Sequence, residues 1–315
     1  MYPMRNYLLE GELKTLAGVQ AKEQDKLLGY SNVVGVGLGS KHINGVNTGE
    51  PCLVVLVEQK IDREFLDDSD LIPATIGKCK TDVLEVGTIF AQTDMRNNEL
   101  MRPAMGGCSV GHTRVTAGTI ATAVIDRGAT IPGRYYILSN NHVLAASNAA
   151  TIGDIVVQPG TVDGGTAAAN RIGRLARFVP ILFGGANNVV DAAIAEVDQF
   201  DKCSPEIYSI GYVQGVANVA VGTRVQKSGR TTGYTRGRVI AINATINVNF
   251  GSPGVARFVN QIVTTNMSAG GDSGSLVLDM RENAVGLLFA GSPTATIINP
   301  ISAVLAALRI EFLGV

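Results

Sequence analysis

The sequence predicts a mainly β protein, an all-β sandwich or barrels, preceded by a small α/β unit and closed by a helix. Three observations carry this reading. After Pro103, short β-branched runs such as VTAGTIATAVID, RYYILSNNHVL, GDIVVQPG, GRVIAINATINVNF and SGSLVLD recur between Gly, Asn and Pro clusters. That spacing of short strands belongs to sandwiches and barrels. Ahead of them, residues 5–28 read as a helix, with Leu8, Leu9, Leu13, Leu16, Val19 and Leu27 at roughly helical spacing. At the carboxyl end, NPISAVLAALRIEF returns to that period, with Ile301, Val304, Leu305 and Leu308 on one side.

The α/β unit continues from its helix into strand-like runs at Asn32 to Ser40, Cys52 to Lys60 and Thr81 to Ala91. The turn-rich KHINGVNTGEP separates the first two. Gly35, Gly37 and Gly39 alternate with Val34, Val36 and Leu38. They lack the G-x-G-x-x-G opening into a helix that a nucleotide loop needs, so they read as a strand packed closely on a helix. QTDMRNNELMRP is polar, ends in Pro103 and is the linker. The expected division is therefore 1–100 and 101–315, with the β region in halves of about 104–200 and 205–300.

Composition narrows the function. The chain has 315 residues, 46% of them hydrophobic, a formal net charge of -1 and no Trp. Nothing there suggests a nucleic-acid or membrane-surface partner. No apolar run approaches the roughly 18 residues a spanning helix needs. Glu10, Glu12 and Lys14 stand where a signal peptide would need an apolar core, so a cytoplasmic location is expected. Cys52, Cys79, Cys108 and Cys203 are scattered without metal-ligand spacing and read as free thiols. No cofactor and no metal are expected.

The chemistry concentrates in SAGGDSGSLV, where three glycines and two further serines surround Asp272 and Ser273 ahead of an apolar run. Glycine weakens a strand unless the backbone must turn sharply or approach a ligand closely. A serine nucleophile needs both, together with a base. Of the three histidines, His42 lies in a polar turn and His112 near the start of the β region. His142 stands where an apolar strand ends, which suits either a rigid base or a structural, hydrogen-bonded histidine. Asp191 lies inside the apolar run NNVVDAAIAEV, where an unpaired carboxylate is costly. It reads as a partner for His142 or as a turn-capping acid, with Asp154 as the fallback acid.

The order His142, Asp191, Ser273, in LSNNHVLA, VVDAAIAEV and GGDSGS, resembles the trypsin-like (chymotrypsin-fold) serine peptidases. The resemblance covers the chain from about residue 104 to its end. It implies two six-stranded β-barrels with a cleft between them and a C-terminal helix. Ser273 would be the nucleophile, His142 the general base and Asp191 its orienting acid. The N–H groups of Gly271 and Ser273 would form the oxyanion hole. VQKSGRTTGYTRGRV is similar to a Ser-Gly-Arg-Thr-Thr-Gly segment of bacterial members, which implies an ion pair between Arg230 and Asp272. By the same resemblance Ala290, Gly291 and Ser292 line the specificity pocket, with Met267 at its base. No acid stands there, so a small or apolar side chain is expected at the cleaved position.

The first unit resembles the domain that precedes the peptidase in some bacterial trypsin-like proteins and, more distantly, the plant narrow-leaf family. That leaves it as a docking domain or a pro-like segment, with the 95–106 linker a possible self-substrate. The function expected is a serine endopeptidase acting on protein or peptide. A self-cleaving precursor and a non-hydrolysing scaffold or binding protein are the alternatives.

Overall fold

The computed structural model describes residues 11–43, 46–61, 63, 66, 68–86, 89, 97–128, 134–199 and 202–314. They fall into two compact units, Met1–Asp94 and Met95–Val315. Parts of three expectations lie outside the described residues: the helix before residue 11, the end of the third strand, and the linker at 92–96.

In the first unit, α1 (Gly11–Leu28) is followed by β1 (Val33–Ile43), β2 (Val46–Val57), β3 (Thr75–Ile76) and β4 (Cys79–Glu85). The sheet order is β1-β2-β4-β3, with β1 and β2 antiparallel and β2 and β4 parallel. Alternation along β2 turns Leu53, Val55 and Val57 to one face, where they form a core with Leu27 of α1. Each such side chain stabilises the unit by about 1.5–3 kcal/mol. The glycine-alternating run lies within β1, a strand, as the absence of a nucleotide-loop spacing implied.

The second unit runs β5 (Ala104–Gly106), β6 (Ser109–His112), β7 (Gly118–Thr119), β8 (Ala123–Asp126), β9 (Tyr136–Ser139) and the short α2 (Asn141–Leu144). Then come β10 (Ile155–Val157), β11 (Arg171–Phe178), β12 (Asn187–Asn188), β13 (Ala193–Val197) and β14 (Cys203–Ile207). The remainder is β15 (Gly215–Val216), β16 (Arg224–Gly229), β17 (Gly233–Asn249), β18 (Val255–Thr265), β19 (Leu276–Asp279), β20 (Asn283–Gly291), β21 (Ala295–Pro300), α3 (Ile301–Leu308) and β22 (Ile310–Phe312).

These strands make two barrel-like sheets. The first has the order β22-β8-β9-β13-β11-β10-β6-β7 and is an open half-barrel in its strand pairing. β7, at one end, runs directly into β8, next to the other end; between them the Ile120 N–H donates to Cys108 O at 2.9 Å and the Ala121 N–H to Leu138 O at 2.8 Å. In the second sheet β16 pairs with both β17 and β19, and β21 joins β18 to β20. That closes a ring of β16, β17, β18, β21, β20 and β19, and closure removes the edges that an open sheet leaves unpaired.

The half-barrel, labelled ring one, is filled by Val110, Ile120, Ile137, Val156 and Ile172, and the closed ring, labelled ring two, by Val225, Val239, Val277, Val285 and Ile298. A third cluster joins them, where Leu138 and Ile194 meet Leu276, Leu278 and Leu287 under Val304 and Leu308 of α3. The carboxyl end differs from the expected continuous helix. Arg309 takes a left-handed conformation at φ 54 that ends α3, and β22 then pairs with β8. Ile310 and Phe312 are both buried at strand alternation, so sheet burial overrides the helical pattern there. Among the described residues, no helix is long and apolar enough to cross a membrane.

Candidate active site

The antiparallel pairing of β9 with β13 sets Ser139 opposite Ala193. Asp191 lies two residues before Ala193, and His142, in α2, three residues after Ser139. His142 Nδ1 lies 2.5 Å from Asp191 Oδ2, and the His142 backbone N–H donates to Asp191 Oδ1 at 3.2 Å. The Asp191 carboxylate is shut off from solvent, whereas the imidazole is 22% exposed. The Asp191 N–H donates to Asn299 Oδ1 at 2.9 Å, and Asn140 Nδ2 donates to Asp191 O at 2.7 Å. This contact assigns the proton to Nδ1 and leaves Nε2 as an acceptor.

Phe250, in the turn between β17 and β18, meets the His142 ring edge-on, with centroids 5.9 Å apart. Beyond it Phe258 and Phe289 continue the aromatic packing.

The other histidines are committed elsewhere. His112 Nδ1 accepts from the Arg114 N–H at 3.1 Å and its Nε2 donates to Asp154 Oδ2 at 3.1 Å, so neither nitrogen is open. Asp154 is thereby removed as a partner for His142. Bonds from the Thr151 N–H, then from His112, hold its carboxyl below the ordinary value. His42 lies in the first unit, 3.4 Å from Asp82.

Ser273 is carried by the loop before β19. The Thr119 N–H donates to Ser273 O at 2.7 Å. A Cβ on Gly118 would stand 2.4 Å from Val143 Cγ2 and 2.9 Å from Ser273 O, so the serine loop and the histidine helix meet there. Ser273 Oγ faces Phe289 O at 3.5 Å and makes no hydrogen bond to His142.

Two glycines in this loop are required by geometry. Gly271 and Gly274 have φ of +99° and +98°, and a Cβ would come within 2.4 Å of Thr231 Oγ1 and 2.1 Å of Ser139 Oγ, respectively. Gly270 O accepts from Thr231 Oγ1 at 2.7 Å, and Asp272 O accepts from Ser275 Oγ at 2.7 Å. In a planar trans peptide the N–H points opposite to the carbonyl. The N–H groups of Gly271 and Ser273 are thus turned the other way, and among the described residues neither donates to a protein acceptor.

The expected Arg230–Asp272 pair is not formed. Lys227 Nζ stands 3.3 Å from Asp272 Oδ2, with both side chains at 0% exposure. Asp272 Oδ1 also accepts from the N–H groups of Thr231 and Thr232, and Oδ2 from Thr232 Oγ1 and the Ala269 N–H. Strand alternation explains the exchange. Lys227 shares the inward face of β16 with the core residue Val225, while Arg230 lies past the strand end and forks onto Asp163 of ring one. Burial pulls the Lys227 ammonium below its ordinary value. Burial alone would raise the Asp272 carboxyl, but the Lys227 charge and the bonds from Thr232 and the loop amides hold it below the usual range.

Beside Ser273 opens a cleft of about 460 Å³ lined by Asn266, Ser268, Leu288, Ala290, Gly291 and Ser292. Met267, expected at its base, faces the other way into the core of ring two, because the extended chain at 266–268 alternates sides. No Lys, Arg or His is among the lining residues.

Sequence reasoning passed over Lys227, Asp163, Thr119 and Asn299. Lys227 alone left a signal, its even spacing from Val225 in a strand; the others reach the site through contacts remote in sequence. Among the described residues no cluster of His, Cys, Asp or Glu could hold a metal. Cys52, Cys79 and Cys108 carry free thiols.

Residues 187–292 match peptidase family S64. A curated relative, serine protease 2 of Streptomyces fradiae, is 41% identical over 81 residues, which are 25% of this chain and 43% of that protein. Glutamyl endopeptidase 2 of Streptomyces griseus is 35% identical over 101 residues, 30% of this chain and 50% of that one. The chain therefore spans about half the length of these relatives or less. Thermobifida fusca protease A aligns with a TM-score of 0.48 at 21% identity, over 66% of this chain and 96% of its own. Part of the second unit is thus similar to peptidase family S64, and stretches of the chain are similar to Streptomyces serine peptidases.

Proposed function

We propose that this protein is a serine endopeptidase that cleaves peptide bonds through an acyl-enzyme on Ser273. The observation that carries the reading is the His142–Asp191 contact of 2.5 Å, which leaves Nε2 as the open acceptor of a histidine packed beside the Ser273 loop. Asp191 holds the imidazole tautomer and stabilises the imidazolium that forms when His142 takes the serine proton. Ser273 Oγ attacks the carbonyl carbon, and negative charge develops on the carbonyl oxygen. The free N–H groups of Gly271 and Ser273 receive that charge without reorganising. His142 then gives its proton to the leaving amine, and water, activated by the same imidazole, releases the acyl group. Contact between Ser273 Oγ and His142 is made on substrate binding, as hydrogen bonds in empty sites are commonly long.

The lining of Leu288 and Ala290, with Asn266 and Ser268 as uncharged polar groups, suits a small or medium apolar side chain at the cleaved position. A glutamate preference has no support in a cleft whose lining holds no cation. The substrate is a separate protein or peptide. In the linker, Asn97 is hydrogen-bonded to Gly229 and Ser109, and Glu99 and Met101 to Gln158, which disfavours their entry into the cleft as an extended strand. Free thiols at Cys52, Cys79 and Cys108 fit a reducing, cytoplasmic setting.

A fluorophosphonate probe tests the reading. It labels wild-type protein and not Ser273→Ala, and a peptide library then returns uncharged residues at the cleaved position. Wild-type protein that takes up no probe while folded would leave a non-hydrolysing member of the fold as the answer.

A further inference from the structure

Arg230 has no part in the Asp272 pair, yet it is held more firmly than a turn cation needs to be. Its Nε donates to Asp163 Oδ2 at 2.8 Å and its Nη2 to Asp163 Oδ1, a two-point fork between the turn after β16 and ring one. Asp163 is itself anchored: Ser109 Oγ donates to Oδ2 at 2.5 Å, and the Gly160 N–H donates to Ser109 Oγ at 2.9 Å. A planar guanidinium gripping an almost buried carboxylate is a directional contact, which a flexible ammonium would not reproduce.

On its other side the arginine touches the serine loop. A Cβ on Gly271 would stand 3.1 Å from Arg230 Cδ and 3.2 Å from Nη1, so the side chain lies along the α-carbon face of Gly271. Arg230 Nη1 donates to Thr231 Oγ1 at 3.1 Å, and that hydroxyl donates to Gly270 O at 2.7 Å. The Arg230 N–H donates to Thr119 Oγ1 at 3.0 Å, which donates to Gly271 O at 2.8 Å. Both carbonyls that flank the Gly271 peptide units are thus tied to Arg230 or to its direct partners.

We propose that Arg230 and Asp163 are positioning residues, an inter-ring clasp that fixes the Gly270–Gly271 peptide with its N–H turned away from Thr231 and available to an oxyanion. Docking of the two rings and formation of the oxyanion loop are then one coupled event. Neither residue touches substrate. Their catalytic consequence rests on the endopeptidase reading above, but their effect on the loop does not.

The test compares full-length wild type, Arg230→Met, Asp163→Asn and the double variant by two readouts. Hydrogen–deuterium exchange follows the amides of Ala269, Asp272 and Gly274, which are bonded in the intact loop. The rate of fluorophosphonate labelling follows the oxyanion donors. Each single variant exchanges faster in the 268–274 segment, while strand 193–197 keeps its protection. Labelling slows roughly 100-fold, the usual loss for one oxyanion donor. The double variant is no worse than the poorer single one, because one contact has been broken twice.

Arg230→Lys recovers only part of the labelling rate, and it carries the comparison if Arg230→Met does not fold. Folded variants with unchanged exchange at 268–274 overturn the clasp, as do losses that simply add. Faster loop exchange in the variants, beside a wild type that takes no probe, keeps the clasp and removes the endopeptidase reading.

Discussion

Lys227 Nζ stands 3.3 Å from Asp272 Oδ2 beneath the Ser273 loop, and neither side chain reaches solvent. The ammonium is further held by Thr232 Oγ1 and by Gly233 O at 3.0 Å. A charge so placed is tolerable only while its partner remains. The loop that carries Ser273 is therefore secured from inside ring two by one ion pair and, at the inter-ring face, by another.

Lys227→Met strands the Asp272 carboxylate and is expected to cost about 3–5 kcal/mol of stability. In urea titrations this appears as a lower midpoint at unchanged slope. A midpoint equal to the wild type would show that the loop amides alone satisfy Asp272.

The same pair sets an acid limit. The folded state holds the Asp272 carboxyl below its ordinary value, so the folded state releases that proton more readily than the unfolded chain. Its contribution is fully present above the unfolded value of about 3.9 and is lost as pH falls through the lower folded value. Asp126 and Asp154 are lowered as well and share the acid slope. Asp272→Asn should flatten only its own portion of a stability curve measured by denaturant from about pH 6 downward; a slope identical to the wild type would contradict the assignment.

Asp191→Asn preserves the packing around His142 but reverses the donor and acceptor facing Nδ1. The turnover number should fall by about four orders of magnitude with the fold intact, as checked by ester hydrolysis beside circular dichroism. A loss below tenfold would mean that the carboxylate does not orient the base.

Gly271→Ala meets two obstacles, φ of +99° and a Cβ 2.4 Å from Thr231 Oγ1. The peptide must shift and its N–H with it, so the turnover number should drop about 10²–10³-fold while KM moves little. Gly270→Ala is the control, because a Cβ there meets nothing within 4 Å. Equal losses in both would point to a general defect of the loop.

Much of this architecture was legible in local pattern. Short β-branched runs between turn residues announced a mainly β chain, and the glycines around Ser273 announced a backbone under constraint. The pairing of β9 with β13 then brings Asp191 and His142 together, because it carries the chain beyond both strands to one end of the sheet.

Other features needed the folded chain. The helical pattern at 299–312 gave way after Arg309, because β8 offered a strand partner that period alone does not reveal. Met267 turned into the core of ring two while its neighbours Asn266 and Ser268 faced the cleft, a matter of which side of one strand end is open.

The two cations of VQKSGR show the division most plainly. Both residues, and the acid between Gly271 and Ser273, can be read in the linear chain; which cation meets that acid cannot. Lys227 points into ring two because it shares a strand face with Val225, and Arg230 reaches ring one because the strand has ended. Side-chain identity and spacing are local properties, whereas the partner of a buried charge depends on what the packing of the two sheets leaves within reach.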